Sequence, residues 1–154
     1  MAAYAATTNV SVENSRAEIE RTLRRYKADA FAYATEPAKA MIGFRIGGRQ
    51  VRFMLQMPDP NSREFTQHSR GRREPAAAEK LWEQACRQKW RALALVIKAK
   101  LEAVSAGITT IEDEFLAHTV LPDGSTVGAW MQPQVDEAYR VGSMPQLLIG
   151  GPAQ

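Results

Sequence analysis

Two adjacent glycines inside an alternating stretch constrain this chain more than any other feature. Ala40-Met41-Ile42-Gly43-Phe44-Arg45-Ile46 and Arg49-Gln50-Val51-Arg52-Phe53-Met54-Leu55-Gln56-Met57 both alternate, and Gly47-Gly48 separates them. A glycine pair accepts the positive φ angles of a two-residue hairpin turn, and a period of two marks strands that bury one face. With the glycines as the turn, Phe44 lies opposite Val51, Ile42 opposite Phe53 and Ala40 opposite Leu55. The reverse face then carries Lys39, Met41, Gly43 and Arg45 against Gln50, Arg52, Met54 and Gln56. A one-residue slip would put Phe53 and Leu55 beside Arg45, so turn chemistry and hydrophobic pattern specify one register.

The apolar face of that hairpin, about residues 39–57, needs a cover, and the long periodic segment that follows supplies one. Trp82, Cys86, Trp90, Leu93, Ile97, Leu101 and Val104 recur at three- and four-residue steps, with Leu81, Ala85, Ala92 and Leu95 widening the stripe. Pro75 suits a first helical turn and Gly107 a left-handed stop, which predicts one helix over about 75–105. Some thirty residues at about 1.5 Å each span roughly 45 Å, so the helix either bends or reaches past its own hairpin.

Upstream, Phe31 and Tyr33 alternate within Ala28 to Thr35, predicting a further strand that Glu36-Pro37 interrupts. Ser15-Arg16-Ala17-Glu18 fits a capping box for an N-terminal helix with Ile19, Leu23 and Tyr26 as its buried stripe. Downstream, Thr109 or Thr110 caps a short helix through Ile111, Phe115 and Leu116, and Val120 to Val127 reads as a turn between two short strands. Pro133 is expected to open a last helix that stops at Gly142; Trp130 before it could stack on a base, but its apolar neighbours favour a packing anchor. The fold expected is α+β: a small antiparallel sheet packed on one long helix, with an N-terminal helix and a mixed C-terminal part. Residues 1–14 read as a flexible arm, 15–142 as a single domain and 143–154 as a tail in which Leu147, Leu148 and Ile149 form a docking segment.

Charge is distributed unevenly. Residues 1–100 hold 19 Lys or Arg against 10 Asp or Glu, a balance of +9, whereas 101–154 hold one Arg against 7 acids, a balance of −6. Polyanions are drawn to the first part, and acidic ends can meet basic bodies of neighbouring subunits head to tail. Pro58 to Glu74 is a long connection that carries Arg63, Phe65, His68, Arg70, Arg72 and Arg73 among small flexible residues. Guanidinium forks bind phosphates while aromatic planes stack on unpaired bases, so this composition suits single-stranded nucleic acid. The expected contacts are Lys39, Arg45, Arg52, Arg63, Arg70, Arg72 and Arg73 on phosphates, with Phe65 stacking.

Enzymatic signatures are sparse. The chain has no phosphate loop, no paired cysteines for zinc and no nucleophile elbow. Glu114 and His118 stand four apart and could share a helical face, but two ligands make no metal site, so neither metal nor cofactor is expected. Cys86 alone allows no intrachain disulfide and reads as a core residue suited to a reducing compartment. No apolar run spans a bilayer and Met1 to Val10 lacks the basic start of a signal peptide, so a soluble protein without a membrane partner is expected.

The run Ala40 to Ile46, the segment Trp82-Glu83-Gln84-Ala85-Cys86-Arg87-Gln88-Lys89-Trp90-Arg91-Ala92-Leu93 and the later Val120-Leu121-Pro122-Asp123-Gly124 together resemble a group of small proteins of tailed phages and prophages. That resemblance covers most of the chain, carries over no catalytic residue and implies the cytoplasm of a bacterial host cell. More loosely, a hairpin or three-stranded sheet followed by a long helix and basic grooves is similar to ring-forming single-strand annealing proteins of phage recombination, an architectural likeness. The leading expectation is a single-stranded DNA-binding protein that promotes annealing or recombination as a homo-oligomer. The alternatives are a protein-interaction module for an acidic partner and, third, a metal-dependent nuclease using Glu112 to Glu114 with His118.

Overall fold

In the computed structural model, which describes residues 5–144, the hairpin forms in the register its glycines specify. Strands β2 (Lys39–Ile46) and β3 (Arg49–Gln56) pair antiparallel with Phe44 opposite Val51, Ile42 opposite Phe53 and Ala40 opposite Leu55. Gly47 and Gly48 take φ of 56° and 73°, values that a side chain would resist. Strand β1 (Ala30–Glu36) joins β2 on the other side through the Pro37-Ala38 turn, giving a meander ordered β1-β2-β3. β1 leaves one edge of this sheet, and the outer edge of β3 is engaged where Val51 bridges Thr119 and the Val120 amide donates to Gln50 O at 2.8 Å.

Two helices share the apolar face. Helix α1 (Val12–Arg25) contributes Ile19 and Leu23, and the sheet contributes Ala40, Ile42, Phe44, Ile46, Val51 and Phe53. Helix α3 (Pro75–Ser105) adds Trp90, Leu93, Ala94, Ile97 and Leu101 to the same core. Pro75 occupies its first turn, and its end is a Schellman stop: Gly107, at φ 75°, donates to Val104 O while Ile108 donates to Ala103 O. Arg91 on α3 pairs with Glu18 on α1, and the Tyr26 hydroxyl donates to Glu102, so polar links clamp the helices along their exposed margin.

Helix α1 starts earlier than a capping box at Ser15 would place it. Ser11 is the cap, accepting from the Asn14 amide at 3.1 Å. Ser15 is fully buried, because it stands four and eight residues before Ile19 and Leu23 on the same inward stripe. Ala5 is buried too, and the Gln84 side chain on α3 donates to Ala6 O and Thr8 O, laying residues 5–10 against the long helix.

The C-terminal part begins with helix α4 (Ile111–Glu114), capped by Thr110, and a 3-10 turn over Leu116–His118. Phe115 between them is buried edge-on against Phe44 and Phe53 and joins this part to the sheet. Val120 and Thr126 form a single bridge in place of two short strands. Helix α5 (Val127–Val141), capped by Thr126, starts six residues before the proline expected to open it, so Pro133 lies inside the helix. Trp130 is therefore a helical residue and is 57% exposed, not the packing anchor its neighbours suggested. Gly142 ends α5 at φ 72°. The expected docking segment Leu147-Leu148-Ile149, residues 1–4 of the arm and most of the tail lie outside the described residues.

Gly128 is where α5 meets the 3-10 turn. A Cβ at this position would stand 2.9 Å from Ala117 O and 3.4 Å from Ala117 Cβ. Glycine to alanine gains at most about 1 kcal/mol in a helix, less in a first turn such as this, whereas overpacking against backbone costs about 1–3 kcal/mol. Gly128→Ala is therefore expected to lower stability in urea denaturation. A stabilised variant would show that the approach relaxes freely.

Candidate nucleic-acid interface

The arginine-rich connection is folded. Helix α2 (Arg63–Thr66) leads into a miniature hairpin of β4 (Gln67–His68) and β5 (Gly71–Arg72), with Gln67 opposite Arg72 and His68 opposite Gly71. Phe65 is only 6% exposed and lies in α2, which packs on α3, so its ring anchors the connection instead of offering a stacking plane. Arg73 is likewise structural: its guanidinium donates to Phe65 O at 2.8 Å and Gln67 O at 2.9 Å, and its amide donates to Thr66 O. Trp82 on α3 holds the base of the connection by donating its indole N–H to Pro58 O at 2.8 Å.

Three arginines remain on the outside of this finger. Arg63 touches only the Gln67 amide oxygen at 3.3 Å, and Arg70 and Arg72 are exposed on the hairpin. Among the described residues none of the three pairs with a carboxylate. Arg72 lines a cleft of about 350 Å³ together with Thr66, Arg73, Pro75, Glu79 and Trp82. Trp82, read from its spacing as part of the buried stripe, is half-buried and is the aromatic residue that this cleft presents. Its place near the start of α3, ahead of the buried Cys86 and Trp90, was the available signal.

The basic residues of the open sheet face are differently situated. Arg45 Nε donates to Asp29 Oδ1 at 2.8 Å, and this bond holds the Asp29 carboxyl below its usual range. Lys39 Nζ lies 3.5 Å from Glu36 Oε2. Arg52 donates to Gly124 O at 2.8 Å, with its Nε enclosed and unpartnered. The antiparallel register causes this pairing, because it sets Glu36 opposite Lys39 and Ala30, which follows Asp29, opposite Arg45. Exposed pairs add little stability, yet they cancel charge locally. The face is consequently a mostly small and apolar surface of Ala30, Ala32, Ala34, Met41, Gly43 and Met54 with neutralised margins.

A second cationic area lies where α1 ends. Arg21, Arg25 and Lys98 line a small cleft beside the Tyr26–Glu102 link, and Lys27 follows at φ 67°. Arg24 pairs with Glu20 at 2.5 Å, and Arg16 turns inward, its guanidinium 4.8 Å from the Tyr33 ring centroid.

Glu114 and His118 do not converge on a metal. Glu114 accepts from Lys100 Nζ at 2.9 Å, whereas His118 stacks on Phe53 with ring centroids 4.0 Å apart. Among the described residues no three His, Cys, Asp or Glu side chains are grouped to hold an ion. Cys86 is buried on α3, and desolvation pushes its thiol up. Burial and, second, the Lys100 charge push the His118 pKa below its ordinary value of 6.5, against a hydrogen bond with the Arg52 backbone. The unfolded chain then binds the proton more readily than the folded one, so stability is fully present above about pH 6.5 and falls as pH drops towards the lower folded pKa. His118→Phe, which keeps the stack, should flatten that decline in denaturation midpoints between about pH 7.5 and 5. An unchanged decline would exclude His118 as its source.

Together these features define a two-layer α+β protein whose sheet carries helices α1 and α3 on one face and whose arginine finger stands beside the start of α3. No family model matches the chain, nor does any curated protein or solved structure. No helix among the described residues is long and apolar enough to cross a membrane.

Proposed function

We propose that this protein binds single-stranded DNA and promotes annealing or recombination in a phage-type system, acting as an oligomer. The observation that carries this reading is the finger: Arg63, Arg70 and Arg72 are exposed and have no carboxylate partner among the described residues, and Arg72 lines a cleft that presents Trp82. Guanidinium groups around an aromatic plane suit phosphates and an unstacked base at once, a combination a duplex offers poorly. Arg21, Arg25 and Lys98 form a separate cationic area towards the other end of α3, beside Glu18 and Glu102. Lys39, Arg45 and Arg52 have a lesser part in this reading, since each is engaged within the chain.

Fluorescence anisotropy of a labelled single strand and its duplex, measured from about 50 to 200 mM salt, tests the proposal. Binding that favours the single strand and weakens steeply with salt is expected, followed by faster annealing of complementary strands. Negligible binding at the lowest salt would overturn it. The second reading, a protein-interaction module, is favoured by the neutralised sheet face and the exposed apolar residues of α5. It predicts a saturable protein complex with only weak binding of nucleic acid.

A further inference from the structure

The cleft beside the finger holds an acid for which phosphate binding alone has no use. Besides Trp82, four polar side chains line it, and two are engaged within the chain: the Thr66 hydroxyl donates to Ser62 O at 3.1 Å, and Arg73 donates to Phe65 O and Gln67 O. The other two are Arg72 and Glu79. Both are exposed, and among the described residues neither belongs to an ion pair, so opposite charges share one cleft without meeting. Trp82 has spent its indole N–H on Pro58 O and offers its ring face. Glu79 stands three residues before Trp82 on α3, which places both on one side of the helix beside the small apolar wall of Pro75 and Ala78. A ligand that completes this cleft carries an anion for Arg72, a flat face for Trp82 and N–H donors for Glu79.

We infer that this cleft holds one unpaired guanine of the strand, stacked on Trp82 with its N1–H and N2–H donating to the Glu79 carboxylate, while Arg72 takes a neighbouring phosphate. This assignment rests on the proposed function and adds a choice among bases to it. Unpaired bases are read by stacking on an aromatic plane and by hydrogen bonds along the Watson–Crick edge. An ionised carboxylate can only accept, which makes it selective there. Guanine presents two adjacent donors, and two parallel bonds to one carboxylate are strong and directional. Adenine and cytosine set a ring-nitrogen acceptor beside their amino group, and thymine flanks its one N–H with two carbonyls, so each brings a lone pair against the acid. The size agrees, since about 350 Å³ lies near the lower end of the range of about 300–1,000 Å³ for ligand pockets. Glu79 also repels phosphate, which keeps the backbone on the Arg72 side and fixes the base in one orientation.

Anisotropy of a labelled all-thymine strand, and of strands with a single central guanine, hypoxanthine, adenine or cytosine, tests the assignment. The guanine strand should bind roughly tenfold tighter than the others, the scale of a bidentate base contact. Hypoxanthine lacks the 2-amino group and should lose most of that gain. Glu79→Ala, at an exposed helical position, should erase the guanine preference and leave the all-thymine strand bound at least as tightly, because a charge that repels phosphate has gone. Equal affinity for every strand would overturn the inference and leave single-strand binding standing, whereas no binding of any strand at the lowest salt would overturn that reading and the inference with it. A Glu79→Ala variant that keeps the preference, or weakens every strand alike, would also overturn the inference, the latter by making Glu79 structural. Free dGMP separates the two sources of a guanine nucleotide: binding as tight as that of the guanine strand would make this a free-nucleotide site and overturn the inference.

Discussion

Phe115→Ala should lower stability by about 3–5 kcal/mol, the range for removing a fully enclosed aromatic side chain. Phe115 is 1% exposed, and its ring meets Phe44 at 5.6 Å and Phe53 at 6.3 Å, both edge-on. Such aromatic geometry adds to the area buried. Its carbonyl also receives the Thr119 hydroxyl at 3.0 Å, so the same residue ties the bridge on β3 to the sheet. A loss of this size is a large share of the 5–15 kcal/mol typical of a domain. Urea denaturation followed by tryptophan fluorescence and circular dichroism measures it. A loss below about 1 kcal/mol would mean that the C-terminal part is not cooperative with the sheet.

The second large effect concerns binding. Arg63→Glu, Arg70→Glu and Arg72→Glu together should weaken single-strand binding roughly 100-fold at low salt and reduce the slope of log affinity against log salt by about 2, since each lost phosphate contact on a single strand removes about 0.7. All three side chains project outwards, so the fold should survive. Lys39→Glu with Arg45→Glu is the matched control, and its effect should be much smaller because those cations already face Glu36 and Asp29. Greater weakening by the sheet pair than by the finger would return the site to the sheet.

The comparison between those two sets explains what the sequence could and could not reveal. The hairpin register was legible because turn chemistry and parity agreed, and an error of one residue would have inverted both faces. The same register contained the neutralisation of Lys39 by Glu36, yet that was visible only once β1 was paired as well as β2 and β3. Phe65 and Arg73 looked like ligands because a loop rich in arginine was read without its own small core; a phenylalanine beside two strands and a helix finds burial first. Ser15 shared the period of Ile19 and Leu23, so its inward position was available from spacing. Pro133 was harder, since the Thr126 cap starts α5 before the proline and the close approach of Gly128 to Ala117 accompanies that beginning.

Pairing α1 with α3 has a consequence for the order in which the chain is made. Glu18 and Arg91, which join the two helices, stand 73 residues apart. At a synthesis rate of about 5–20 residues per second, the first helix leaves the ribosome roughly 4–15 s before its partner. During that interval Ile19 and Leu23 have only the newly formed meander to cover them. The close-spaced turns of the sheet therefore do more than shape a face: they give the emerging N-terminal helix an early apolar surface and shorten its exposure to other nascent chains.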